Sequence, residues 1–311
     1  MHSPQTPSHW IAYLSLASSM ALVGTYVAFA KPLVAIFPIF LLAWLRFAIG
    51  AIAMIHWVAR KRDDPPLRRA EHTWLFAQSL FGNFLFSICV LYGVQWTNAS
   101  TAGVIMASLP AVVAVLSAVL LRERLSGRAM AAIALAVLGI GGFATWTPDA
   151  GEDHWLGNAL VFAAVCCEAM YVVIAKKLSP YVSAKRMSAL INLWGLILMT
   201  PLAIPLGLEF AFSQVGWPSW ALLLFYGLAA SVWTVVLWVR GLRDIPAHHA
   251  GVFTVMLPIA ATTVGVLFLH ERLIAEQIMA FGMALLGVAL ITRASNAGSL
   301  RDSTARRDLA E

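Results

Sequence analysis

Long apolar runs alternate with short polar segments along almost the whole chain. A helix rises about 1.5 Å per residue, so about 20 apolar residues cross the roughly 30 Å hydrocarbon core of a bilayer. We therefore expect an all-α polytopic membrane protein with ten transmembrane helices. The ten predicted spans are 10–30, 38–59, 74–94, 101–121, 129–146, 155–175, 187–207, 217–239, 247–269 and 274–292.

The composition agrees with this pattern, because 60% of the 311 residues are hydrophobic and 12% are charged. A soluble globular domain is about 45–50% apolar and about 25% charged. The formal net charge of +6 does not indicate nucleic-acid binding, since the basic residues lie in short loops rather than on one soluble face. Cys89, Cys166 and Cys167 all lie in apolar runs, which favours neither a disulfide framework nor a zinc site.

The distribution of Lys and Arg predicts the orientation of the chain in the membrane. With the N-terminus inside, 18 of the 21 basic residues fall on the cytoplasmic side. Lys31 and Arg272 fall on the outer side, and Arg46 lies within a span. Because positive charges resist translocation, we expect both termini in the cytoplasm and the chain in the inner (plasma) membrane. The polar segment 294–311 is predicted to be a disordered cytoplasmic tail.

The chain also contains an internal repeat. A shift of 148 residues aligns Ala102-Gly103 with Ala250-Gly251, Pro110 with Pro258, Glu123-Arg124-Leu125 with Glu271-Arg272-Leu273, and Gly139 with Gly287. A shift of 145 residues aligns Tyr26, Lys31 and Leu33 with Tyr171, Lys176 and Leu178. We divide the chain into a first five-helix repeat, 1–150, and a second one, 151–293. Five is odd, so the two repeats must be inverted, as in transporters that alternate access around a midplane site.

The paired stretches AGVIMASLPAVVAVLSAVLLRERL and AGVFTVMLPIAATTVGVLFLHERL, together with Leu45-Arg46-Phe47, resemble the drug/metabolite transporter superfamily and its EamA-type ten-helix members. Within that family the chain is most similar to the YddG-like exporters of aromatic and other amino acids. The resemblance implies a secondary transporter that exports amino acids or similar metabolites by alternating access. It implies a small-molecule substrate, protons as a candidate coupling ion, a lipid bilayer as environment, a monomer and no cofactor. Export of cationic drugs or other metabolites is the alternative.

Two charged residues lie well inside the predicted spans, Arg46 and Glu168. A charge at mid-bilayer costs about 2.5–3.5 kcal/mol even on a lenient scale, so such residues face a cavity or a partner. A structural ion pair between them is one reading. Contact with a substrate carboxylate at Arg46, and with a substrate ammonium or a proton at Glu168, is the other.

The resemblance adds to the interest of Glu168. In the small multidrug-resistance branch of the same superfamily, a membrane-embedded Glu on the first helix binds protons and cationic drugs and is followed by Lys eight residues later. Here Lys176 follows Glu168 at that spacing, while the matching position of the first half is Val23. Burial favours the neutral carboxylic acid, whereas pairing with Arg46 favours the carboxylate.

Small polar and aromatic side chains supply the other candidate substrate-binding residues. Ser79 and Asn83 share one face of the third helix, and the repeat places Ser231 opposite Asn83. Such residues either line a cavity or bond neighbouring helices. Tyr26 lies on a polar strip of the first helix, and Tyr171 lies one turn after Glu168.

Trp44 and Trp194 lie deeper in their spans than most other tryptophans, where a ring stacks on an aromatic substrate or packs between helices. Eight tryptophans near span ends fit an interfacial belt instead.

Other motifs carry no chemistry. The sequence GIGGFA at 139–144 lacks the strand–turn–helix context of a dinucleotide site, and His248-His249 and His270-Glu271 lack zinc-ligand spacing. There is no Walker A or GxSxG sequence, so the chain alone does not use ATP. An intramembrane enzyme would need convergent catalytic groups, and a structural or receptor role would need an extramembrane module. We expect neither catalytic nor metal-binding residues.

Overall fold

The computed structural model describes residues 9–59, 67–97, 99–106, 108–121, 153–178, 181–242 and 256–271, with the single residues 253, 278, 282 and 286. All regular elements in this part of the chain are helical, which confirms the all-α prediction. The α-helices are α1 (His9–Val34), α2 (Ile39–Val58), α3 (Arg69–Ser79), α4 (Phe86–Trp96), α5 (Ala99–Met106), α6 (Leu109–Leu121), α7 (Asp153–Leu178), α8 (Ala184–Glu209), α9 (Trp217–Leu228), α10 (Thr234–Leu242) and α11 (Met256–Phe268). A 3-10 turn, Phe212–Gln214, precedes α9.

Seven helical segments of the described chain are long and apolar enough to cross a bilayer. They are Trp10–Val34, Ile39–Val58, Arg69–Trp96, Thr101–Leu120, Trp155–Ala175, Ala184–Glu209 and Trp217–Trp238. These segments confirm the first four predicted spans and the sixth, seventh and eighth. The shorter apolar helix α11 lies within the predicted span 247–269. The predicted spans 129–146 and 274–292 and the tail 294–311 lie outside the described residues.

Two long spans are interrupted by π-helical turns at matching positions of the halves. Leu80–Leu85 joins α3 to α4, and Ala229–Trp233 joins α9 to α10. The shift of 148 residues carries the first turn onto 228–233, which overlaps the second almost completely. Short π-helical turns are frequent at functional sites. Asn83 and Ser231 both lie inside them.

Helices of one half pack against helices of the other in matched pairs. In the centre, α2 packs along α8. Around this pair, α1 packs against α10 and α11, while the matching α7 packs against α4 and α6. The shift of 145 residues carries α1 onto α7, and the shift of 148 residues carries α4 and α6 onto α10 and α11. Each of these packed pairs therefore has a counterpart in the other, so the internal repeat is also a repeat of contacts.

The closest approach of the two central helices depends on a pair of matched glycines. A methyl group on Gly50 would lie 2.7 Å from Nδ2 of Asn192 and from Oγ of Ser231. One on Gly195 would lie 3.0 Å from the Phe47 ring and 3.2 Å from Cβ of Asn83. A methyl group at Gly50 would force its neighbours to shift, and one at Gly195 would require a smaller adjustment, because protein interiors are close-packed.

Candidate functional site

Arg46 is a buried cation with few partners. It lies on the same inward face of α2 as Ala43, Phe47 and Gly50, and only 5% of it is exposed. Its Nη2 donates a hydrogen bond to Oγ of Ser87 on α4 at 2.8 Å, and the Phe47 ring lies 4.2 Å from the guanidinium carbon. Within the described chain, its buried Nε has no hydrogen-bond partner. The guanidinium therefore retains donors for an anionic group.

Glu168 approaches Arg46 from the other half, on α7. Its side chain is half-buried. The two side chains lie close enough for their opposite charges to attract each other. However, neither residue forms a salt bridge within the part of the chain that the structure describes. This arrangement differs from a structural ion pair, in which the carboxylate would satisfy the guanidinium directly.

Three tyrosines surround the two charges. Tyr26 lies near enough to both Glu168 and Arg46 to interact with each electrostatically. Its ring meets that of Tyr226 edge to face, with 5.8 Å between the centroids. Tyr171 interacts with Glu168 in the same way and packs its ring against Gly82 in the first π-helical turn. The structure thus brings four predicted site residues together: Arg46, Glu168, Tyr26 and Tyr171.

Two residues of this group, Ser87 and Tyr226, were not among the predicted site residues. Ser87 lies two turns after Ser79 on the polar face of the third span, which was a usable signal. Tyr226 had no such signal, because an aromatic residue in an apolar helix is indistinguishable from core packing.

The predicted polar residues in and beside the π-helical turns make hydrogen bonds between helices. Ser79 and Asn83 both donate to the backbone carbonyl of Ile191 on α8, at 2.6 Å and 2.7 Å. Ser231 donates to Oδ1 of Asn192 at 3.0 Å, and Nδ2 of Asn192 donates to the carbonyl of Phe47 at 2.9 Å. The bonds to Ile191 and Phe47 tie the two halves together, whereas the Ser231–Asn192 bond joins two segments of the second half. A substrate-binding role for Ser79, Asn83 and Ser231 stays a prediction.

The two deep tryptophans contact other partners. Trp44 donates its indole N–H to Oγ1 of Thr200 at 3.0 Å. Trp194 packs edge to face against Phe76 at 5.3 Å between centroids, and Phe76 is exposed at the surface of the bundle. The structure therefore shows each ring in a packing contact between helices, and their role in substrate binding also stays a prediction.

Comparison with known proteins gives the family context of this arrangement. The model of the EamA-like transporter family matches residues 10–145 and again residues 155–293. Each match covers one half, which agrees with the internal repeat.

Several proteins resemble most of the chain. An uncharacterized transporter of Bacillus subtilis, YetK, is 35% identical over 264 residues, which are 84% of this chain and 80% of that protein. An uncharacterized transporter of Archaeoglobus fulgidus is 24% identical, with 81% of this chain and 88% of that protein aligned. A crystal structure of a protein 19% identical to this chain matches with a TM-score of 0.63, covering 93% of this chain and 99% of that one. At that identity the likeness concerns the fold alone.

Proposed function

We propose that this chain, which belongs to the EamA-like transporter family, exports amino acids, aromatic and other, or similar small zwitterionic metabolites by alternating access. Membership of the family and the names of its relatives make it a multi-pass membrane transporter rather than an enzyme. The single observation that supports the proposed substrate is the pair of opposite charges, Arg46 and Glu168, held near each other without a direct ion pair.

The proposed role of Arg46 follows from its underused hydrogen-bonding capacity. A guanidinium has five N–H donors in a planar fork that matches a carboxylate. Ser87 occupies one terminal nitrogen, while the buried Nε has no partner among the described residues. A cation without an anionic partner is costly within the membrane. An anionic ligand that binds Arg46 removes this cost, so the guanidinium favours a substrate with a carboxylate.

The proposed role of Glu168 is complementary. Its half-buried carboxyl group accepts either a substrate ammonium or a coupling proton. The α-carboxylate and α-ammonium of an amino acid are a short, fixed distance apart, which suits two opposite charges that lie near each other beside Tyr26. A purely cationic drug would use Glu168 but would leave Arg46 unpaired. The zwitterion is therefore favoured over the cationic-drug alternative.

Substrate analogues in proteoliposomes test this proposal. Counterflow of a labelled aromatic amino acid would be competed with the unlabelled amino acid, with its amide, and with the corresponding amine that lacks the carboxylate. We expect the amino acid to compete best and both analogues to lose about 30-fold or more, as expected when one partner of a buried charge pair is removed. Stronger competition by the amine than by the amino acid would support a cation exporter instead.

The orientation and assembly are part of the same proposal. The charge distribution supports both termini in the cytoplasm of a cell with the chain in its inner (plasma) membrane. We propose that one chain forms the complete pathway, because both halves of the repeat contribute to the charged site.

A further inference from the structure

A cluster of polar side chains joins the two halves where several helices begin or end, at one end of the bundle. Lys31, in the last turn of α1, donates to the backbone carbonyl of Thr97 at 2.6 Å and lies 3.6 Å from Oε1 of Glu271. Thr97 in turn donates its hydroxyl to Oδ1 of Asn158 on α7 at 2.8 Å. Lys31 and Thr97 belong to the first half, whereas Asn158 and Glu271 belong to the second.

The local backbone places Glu271 opposite Lys31. Beyond α11, His270 adopts the left-handed conformation, with φ at 55°. The chain turns back there, and the amide of Glu271 donates to the carbonyl of Gly265 at 2.9 Å. Left-handed residues commonly end helices in this way and satisfy their last carbonyls. The carboxylate is 13% exposed and the Lys31 side chain 35%, so the pair is partly shielded from water.

The hydrogen bond between Thr97 and Asn158 depends on a close approach of α4 and α7. A methyl group on Gly157 would lie 2.7 Å from the carbonyl of Trp96, so the start of α7 lies directly against the end of α4. This approach brings Asn158 within reach of Thr97, which is 3% exposed. Two contacts therefore cross between the halves at the same end, an ion pair and a neutral hydrogen bond, and the bond from Lys31 to Thr97 connects them.

We propose that Lys31, Glu271, Thr97 and Asn158 form a latch that holds the outer end of the transport pathway closed, and that the Lys31–Glu271 pair separates once in each transport cycle. The inference rests on the proposed alternating access, in which each end opens in turn. Contacts that join the halves at one end must break for that end to open. The charge distribution places this end outside, because Lys31 and Arg272 are the basic residues assigned to the outer side.

Distances between spin labels test the latch. Cysteines replacing Ile36 and Leu267, both exposed beside the latch, would be labelled in a chain whose native Cys89, Cys166 and Cys167 are replaced by Ala. We expect Glu271→Gln and Lys31→Met each to raise the ratio of long to short distances about 2- to 5-fold, since a partly exposed ion pair contributes modestly. Lys31→Arg should retain the wild-type distribution.

A double variant and a matched control make the test specific. If the two side chains act on each other, Lys31→Met combined with Glu271→Gln should change the ratio of distances by less than the product of the two single effects. Glu209→Gln removes an exposed acid at the end of α8, on the same predicted side, and should leave the distances unchanged. A distribution that is unmoved by the latch variants, or moved equally by Glu209→Gln, would overturn the proposal.

The spin-labelled protein with Lys31 and Glu271 unchanged provides a second measurement if a latch variant does not fold. Raising the salt concentration from about 0.01 M to about 1 M shortens the Debye length from about 30 Å to about 3 Å. The long-distance fraction should then increase modestly, because salt weakens a partly shielded pair less than an exposed one. No change with salt contradicts the latch. Because no substrate is added, these results do not depend on whether amino acids are the cargo.

Discussion

The two halves of this protein share their packing but not their chemistry. Gly50 of the first half lies against Asn192 and Ser231 of the second, and Gly195 of the second lies against Phe47 and Asn83 of the first. The sequence shifts carry each member of one set onto the corresponding member of the other. The glycine contacts at the junction of α2 and α8 therefore occur twice, once with the glycine of each half.

The charged site lacks this symmetry. The position matching Arg46 is Ile191, the one matching Glu168 is Val23, and the one matching Ser87 is Val235. Each half thus contributes one charge and an apolar residue in place of the other. A single substrate binds in one orientation, so it needs one cation and one acid, whereas an alternating scaffold needs both halves to pack alike. Symmetric residues are expected to control stability, and asymmetric ones to control recognition.

The largest expected effect is the loss of recognition in Arg46 variants. Arg46→Lys keeps the charge but not the planar fork, and Arg46→Ala removes both, so both should bind amino acids about 30-fold or more weakly. Titration of substrate into folded, purified protein measures this loss. Arg240→Ala, which removes an exposed arginine in the last turn of α10, is the matched control and should bind normally. Normal affinity and transport in both Arg46 variants would reduce Arg46 to a structural role.

The next effect concerns energy coupling through Glu168. In Glu168→Gln the side chain keeps its shape but no longer binds and releases a proton, so accumulation driven by an imposed pH gradient should disappear. Counterflow needs no net driving force, so it should survive at a substrate concentration that offsets the weaker binding of the substrate ammonium. Flux in proteoliposomes with and without the gradient measures both, and Glu209→Gln serves as the control. Unchanged pH dependence in Glu168→Gln would show that protons are coupled elsewhere or not at all.

A smaller effect is expected on stability at the matched glycines. Gly50→Ala forces its new methyl group against Asn192 and Ser231 at 2.7 Å, so it should destabilise the fold by about 1–3 kcal/mol. Gly195→Ala meets the Phe47 ring and Asn83 at 3.0–3.2 Å and should cost less. Melting temperatures in detergent would compare them. Equal stability of both variants and the wild type would contradict the packing role of this pair.

Much of the fold could be predicted from the sequence, because the constraints on it are local. A bilayer demands long apolar runs, and the described spans fall where those runs predict them. Arg46 and Glu168 stood out for the same reason, since a charge within an apolar run is rare whatever surrounds it.

The partners of the small polar residues could not be predicted. Nothing in the sequence indicates that Ser79 and Asn83 share the carbonyl of Ile191, or that Asn192 connects Ser231 to Phe47. These bonds depend on how two helices from different halves approach, and on the π-helical turns that displace Asn83 and Ser231. A polar face predicts that bonds form, but it does not predict with which helix.

The smallest effect, and the finest test of the asymmetry, concerns Ser87. Its hydroxyl holds one terminal nitrogen of Arg46 and leaves Nε available, so Ser87→Ala should let the guanidinium turn without removing its charge. We expect affinity for a carboxylate substrate to fall about 3- to 10-fold, as for the loss of a hydrogen bond to a charged group. Affinity for the amide analogue should change less, so the ratio of the affinities for the carboxylate and the amide should fall. Ser87→Thr, which keeps the hydroxyl, should restore this ratio. Ser19→Ala, which removes a fully buried serine of α1 bonded to the backbone carbonyl of Thr234, is the matched control. That variant should lower the melting temperature without altering discrimination. If Ser87→Ala behaved as Ser19→Ala does, Ser87 would be a packing contact, and its hydroxyl would not orient Arg46.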